Sequence, residues 1–306
     1  MYYPLLSDAE RLQKLNIPAT GVLPMVLDTD TYNEVDDQFA LAYALLSPER
    51  LKVEAVYAAP FLNERCATPG EGMELSHQEI LRLLDRMGRS PEGLVFKGSD
   101  RFIGSLDTPV DSPAVRDLIA KAMARDENDP LYVVSIGAAT NIASAILLEP
   151  EIIRHIVVIW LGGNPMHWHS TLEFNLSQDL VSSRLIFDCG VPLIHLPALT
   201  VASHMLTTLA ELKACIGGKN SLCDTLIELY AAYSDDHFGW SKEIWDIVAI
   251  GCLIEPAWVP AHIVHSPILT DLNTWSHDPA RHLIKSAFFA GRNGIFRDMF
   301  TKLANL

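Results

Sequence analysis

Five acids, Asp28, Asp30, Glu34, Asp36 and Asp37, fall within ten positions in the stretch VLDTDTYNEVDD, residues 26–37. They follow an apolar run, residues 22–28, that reads as a buried strand. Carboxylates gathered at one strand end repel one another, which raises the energy of the ionised state. A bound cation removes that penalty, and oxygen ligands suit Ca2+ or Mg2+ better than zinc. The same acids also suit a solvated loop leading into a helix, with Asp36 and Asp37 placed for its cap and dipole. An EF-hand is excluded, because no Gly stands at the sixth loop position and no acid at the twelfth.

The elements around this cluster alternate. Strands are expected at 22–28, 51–58, 93–97, 131–136, 155–161 and 192–196. Helices are expected between them at 37–47, 73–87, 112–125, 140–148 and 177–188. That order predicts an α/β fold with an open, mostly parallel sheet flanked by helices. Helical patterns at 207–215, 220–233 and 244–254 predict a helical C-terminal part. No Gly/Ser linker, repeat or low-complexity tract divides the chain, so residues 1–306 are expected to form a single domain. Ligands of such sheets sit beyond the carboxyl ends of the strands, where the acids lie.

Composition narrows the partners. Acids number 38 against 23 Lys and Arg, for a formal charge of -15 over 306 residues. A surface this acidic excludes phosphate-neutralising nucleic-acid binding and docking on an anionic membrane. No apolar run reaches the roughly 18 residues of a membrane span. The N-terminus carries early charges and no signal-peptide core. The five cysteines are scattered and form no CxxC pair, which argues against a zinc ribbon or disulfide scaffold and for a cytoplasmic protein.

Four stretches in order resemble the inosine-uridine preferring nucleoside hydrolase family. LDTDTYNEVDDQFALAYAL resembles its aspartate-rich opening motif, DxDPGxDDxxAL. SIGAATNIASAILLEP (135–150), followed by LGG (161–163), resembles its G-x-x-T-N segment and paired glycines. LEFNLSQDLVSSRLIFDCGVPL (172–193) resembles its EFN segment, and WDIVAIGCLIEP (245–256) its HDPxAVAxxxxP segment. The resemblance implies the nucleoside hydrolase fold with its Rossmann-like core. It implies Ca2+-dependent cleavage of the N-glycosidic bond of a ribonucleoside, releasing base and ribose, within purine salvage. It also implies a homo-oligomer, dimer or tetramer.

Carried over residue by residue, the resemblance implies carboxylate metal ligands at Asp30, Asp37 and Asp246, with the Ile136 backbone carbonyl completing the set. Asp30 is also the implied base for the attacking water, and Asp28 supports it. Asp36, Glu173 and Asn175 are the implied contacts to sugar hydroxyls. Plainer readings stand beside these: Asn141 as a helix N-cap, Asp179 as a first-turn acid, Asp246 as a surface acid.

The departures cluster at the site. The first loop is two residues longer than the family's, so Tyr32 or Asn33 is free to enter the pocket; Asn33 also reads as a turn residue. Ala59 and Pro60 stand where the family has Gly-Asn, with Asn63 and Arg65 nearby to compensate. The family's glycine-rich DGLGG-like stretch is absent, and residues 110–117 read VDSPAVRD. Trp245 replaces the His that many members place before the last metal Asp. The purine-preferring branch also has Trp there, stacked on the base, so a purine is favoured. His167, His169, His237 and Glu243 are candidate proton donors, and His167 and Trp168 are candidate pocket residues. Two other functions remain open: a sugar or nucleoside binder without turnover, and an aspartyl-phosphate-type phosphatase built on LDTDT.

Overall fold

β1 (Leu23–Thr29) is buried along its whole length. Its side chains alternate between two cores: Leu23, Met25 and Leu27 face one, and Val26 faces the other. A strand covered on both sides reads as a continuous apolar run, the mark of a parallel sheet between helical layers. The computed structural model, which describes residues 3–306, has this arrangement.

β2 (Leu51–Ala58), β3 (Val95–Lys97), β4 (Leu131–Ser135), β5 (Ile156–Leu161) and β6 (Leu193–Leu196) complete the six expected strands. Later come a small ribbon of β7 (Leu206–Thr207) and β8 (Lys242–Glu243), then β9 (Ala261–His265), a second ribbon of β10 (Ile268–Leu269) and β11 (Trp275–Ser276), and β12 (Leu283–Ala287). The main sheet runs β3-β2-β1-β4-β5-β6-β12-β9. All neighbours are parallel except β12 and β9. The C-terminal part is therefore not only helical, since it adds two strands to the sheet.

The helices are α1 (Asp8–Lys14), α2 (Asp37–Leu45), α3 (Pro69–Arg86), α4 (Pro113–Met123), α5 (Thr140–Leu148), α6 (Phe174–Gln178), α7 (Leu180–Asp188), α8 (Leu209–Ile216), α9 (Ser221–Ala231), α10 (Ile247–Ile254) and α11 (Arg292–Ala304). Apolar residues of α2, α3 and α8 to α11 build one core, and those of α4, α5 and α7 the other. α3 starts four residues before its expected position because Thr68 caps it through Glu71 N–H and Pro69 suits its first turn. The expected helix 177–188 is two helices. Asp179 breaks it, with φ -137° and ψ 84°, and caps α7 through Ser182 N–H. No helix among the described residues is long and apolar enough to cross a membrane.

Candidate active site

β1 and β4 are neighbours, and the strand order runs from β1 toward β3 on one side and from β4 toward β6 on the other. Their carboxyl ends flank the switch point where such sheets hold ligands. Asp28 lies near the end of β1, Asp30 just beyond it, and Ile136 just beyond β4. A cavity of about 290 Å3 opens here, lined in part by Asp30, Asp36, Asp37, Ile136, Trp245 and Asp246. A larger cleft of about 450 Å3 touches Leu23, Pro24 and Tyr132, at the opposite ends of the same strands, away from the acid cluster.

Two helices begin at the cavity. Asp36 is the N-cap of α2 and Asp246 the N-cap of α10, yet neither side chain makes a capping hydrogen bond. Oxygens of Asp36, Asp37 and Asp246 instead lie within 4.8 Å of one another, and all three residues are buried. Asp36 thus holds the cap position that the solvated-loop reading gave it, but it is buried and does not cap through its side chain. The helix N-termini still help, since their partial positive charge favours nearby carboxylates. This tight trio includes Asp36, which the sequence reading set on a sugar hydroxyl, and leaves out Asp30.

Asp30 is fully buried, and both of its carboxylate oxygens lack a hydrogen-bond partner. Gly137 makes room for it: a Cβ there would lie 3.0 Å from Asp30 Cγ. Burial and the charges of Asp37 and Asp36 push the Asp30 carboxyl well above the usual carboxylate range. Burial and the same neighbours do likewise to Asp246. Carboxylates so placed ionise together only with a counter-charge among them. The unpartnered oxygens of Asp30 beside an all-oxygen trio fit a hard cation.

Asp28 is not among the residues that line the cavity, and its carboxylate is hydrogen-bonded. Asn141 Nδ2 donates to its Oδ1 at 2.7 Å and Ser135 Oγ to its Oδ2 at 3.2 Å. Asn141 is therefore no helix cap. Ala139 holds that position, and Asn141 ties α5 to β1 while accepting from Ser99 N–H at 2.7 Å. Asp179 does more than an ordinary first-turn acid, accepting also from Thr140 Oγ1 at 2.8 Å and Ile103 N–H at 2.9 Å.

Glu173 and Asn175 both line the cavity. The Glu173 carboxylate accepts from the backbone N–H groups of Gly163, Asn175 and Leu176. Asn175 Nδ2 donates to the carbonyls of Ile136 at 3.1 Å and Leu161 at 3.0 Å, holding the ends of β4 and β5 together. Asn33 enters the cavity wall, and Asn63 Nδ2 donates to its Oδ1 at 2.8 Å. Arg65 braces the same long loop at the Tyr32 carbonyl. Trp245 lines the cavity, half-buried against the core. His167 and Trp168 are exposed and lie outside the lining.

The lining also holds residues without a role in the sequence reading: Glu34, Asn164, Phe174 and Lys242. Lys242 forms an ion pair with Glu34. In the sequence it is one Lys in a polar stretch, SKEIWD, and nothing there signals burial.

The sequence profile of the inosine-uridine preferring nucleoside hydrolases matches residues 25–284. The chain belongs to this family. Its relatives include the pyrimidine-specific ribonucleoside hydrolase RihA of Salmonella paratyphi A, 25% identical over 279 residues and covering 83% of each chain. Among solved structures, the plant nucleoside hydrolase PpNRh1 superposes with a TM-score of 0.72 at 19% identity, over 94% of this chain and 100% of its own. The purine-preferring ribonucleoside hydrolase from Gardnerella vaginalis gives 0.67 at 22% identity, over 92% and 98%. The mostly parallel sheet with flanking helices is the fold of these nucleoside hydrolases, and membership makes this chain a nucleoside hydrolase. The phosphatase reading of LDTDT is set aside.

Proposed function

We propose that this nucleoside hydrolase cleaves the N-glycosidic bond of a ribonucleoside, with purines favoured, using one Ca2+ held at the acid cluster. The observation that carries the reading is Asp30, whose two buried oxygens have no partner beside the Asp36, Asp37 and Asp246 trio. Asp30, Asp37, Asp246 and the Ile136 carbonyl would hold the ion. When bound, Ca2+ would supply Lewis-acid polarisation of a water and an anchor for the ribose diol.

The protein's own groups do the rest. Asp30, ionised once a cation offsets its neighbours, takes a proton from the attacking water. The water oxygen bonds to C1′ as the C1′–N bond breaks. The acidic walls stabilise the positive charge that develops on the sugar. Both Nδ2 protons of Asn175 are committed to carbonyls, which leaves Oδ1 to accept from a sugar hydroxyl. Glu173 has one acceptor site beyond its three backbone donors, and Asp36 is a third hydroxyl acceptor. Trp245 offers a ring face to the base.

Residues from Asp30 to Asp246 build one site, which supports the reading of the chain as a single domain. Five free thiols suit a cytoplasmic setting. The test is release of base and reducing sugar from a panel of purine and pyrimidine ribonucleosides. Purine release that exceeds pyrimidine release supports the reading, and release from neither class overturns it.

A further inference from the structure

We propose that Lys242 is the residue that gives a proton to the departing base. The inference rests on the proposed hydrolysis and adds to it the acid that the leaving group requires. Breaking the C1′–N bond sends its electron pair to the base nitrogen, and a proton must arrive there. The rest of the lining supplies amides, apolar groups and acids that are gathered at the proposed cation or, like Glu173 and Glu34, already paired. Lys242 is the one Lys, Arg or His among the residues that line the cavity.

Its position is built. β8 pairs with β7, and Tyr230 OH accepts from Lys242 N–H at 2.9 Å, which fixes the backbone. The ammonium pairs with Glu34 and sits 4.3 Å from the centroid of the Tyr233 ring. Tyr233 OH donates to the same Glu34 oxygen at 3.1 Å. An ammonium has three donors. One meets Glu34 and one the ring face, so one remains for a ligand. The other candidate acids lie elsewhere: His167 and His169 are exposed, His237 lies against Tyr230 and Trp240, and Glu243 is outside the cavity lining.

Burial lowers the Lys242 ammonium to about 8, with Glu243 and Asp246 opposing the shift. At neutral pH it still carries its proton and is a stronger acid than an exposed lysine. In the step proposed, the Nζ proton moves to the base nitrogen and leaves a neutral amine. Solvent restores that proton, while Asp30 returns the proton it took from water.

The experiment compares inosine with p-nitrophenyl riboside, whose phenolate departs without protonation. Lys242→Met is expected to lose about 10²–10⁴-fold in kcat/KM on inosine and less than about tenfold on the phenyl riboside. Lys242→Arg keeps the charge near Glu34 but cannot release a proton at working pH. It is expected to show the same split. Equal losses on both substrates, or an arginine variant with full activity on inosine, would overturn the proposal and leave the hydrolase reading standing. Wild-type protein that cleaves neither of these substrates nor uridine overturns both.

Discussion

Asp36 and Asp246 hold the same place at the starts of two helices, α2 and α10, and neither caps its own helix. Each gives up a local hydrogen bond worth roughly 1 kcal/mol. Together with Asp37 they bring three buried oxygens within 4.8 Å. That arrangement costs stability unless a cation joins it, so stability and metal binding are linked.

The first prediction concerns that link. Burial raises the Asp28 carboxyl to about 7 and holds Asp30, Asp36, Asp37 and Asp246 above their usual range. Between the ordinary carboxylate pKa and these raised values, the folded metal-free protein keeps protons that the unfolded chain has released. The contribution of these carboxyls to stability is therefore fullest below about pH 4 and falls as pH rises toward 7 and beyond. Ca2+ at about 100 times its dissociation constant adds about 2.7 kcal/mol. Thermal melts at pH 5 and pH 8, with EDTA or Ca2+, are expected to give a larger Ca2+ increment in Tm at pH 8. A Tm indifferent to Ca2+ at both pH values contradicts the account.

Asn141 joins Asp28, Ser99 and α5 in the interior. Asn141→Leu leaves Asp28 with Ser135 alone and strands the Ser99 N–H. The expected loss is about 1–3 kcal/mol for each buried polar group left unpaired. Urea denaturation measures it, and an unchanged midpoint counts against this role.

Trp245 is the ring on which the purine preference rests. Trp245→Ala is expected to cost about 0.5–1.5 kcal/mol of stacking, which is roughly 2- to 12-fold in kcat/KM. The loss is expected to be greater for inosine than for uridine, because the purine has the larger face. Steady-state kinetics on the two nucleosides decide this, and an equal loss on both removes Trp245 as the source of preference.

Much of the framework was legible in the sequence because β1, β4 and β5 are buried on both faces and so read as unbroken apolar runs. The acids at the end of β1 stood out for the same reason, and Asp246 for the apolar run beside it. β9 and β12 were missed because their residues are mostly half-exposed and carry little pattern. Asn141 looked like a cap because its partner Asp28 is 113 positions away. Lys242 carries no signal in the sequence because its burial depends on Glu34 and Tyr233, which only the fold brings to it. His167 was expected near the pocket from its distance in sequence to Glu173, but its loop turns the side chain to solvent.

The most direct test of the central claim is release of hypoxanthine from inosine by the wild-type protein and by Asp30→Asn, in EDTA and after Ca2+ is restored. The account predicts turnover by the wild type only with Ca2+, and a loss of at least about 10²-fold in the variant at saturating Ca2+. Full turnover in EDTA, or an Asp30→Asn variant as active as the wild type, would contradict it.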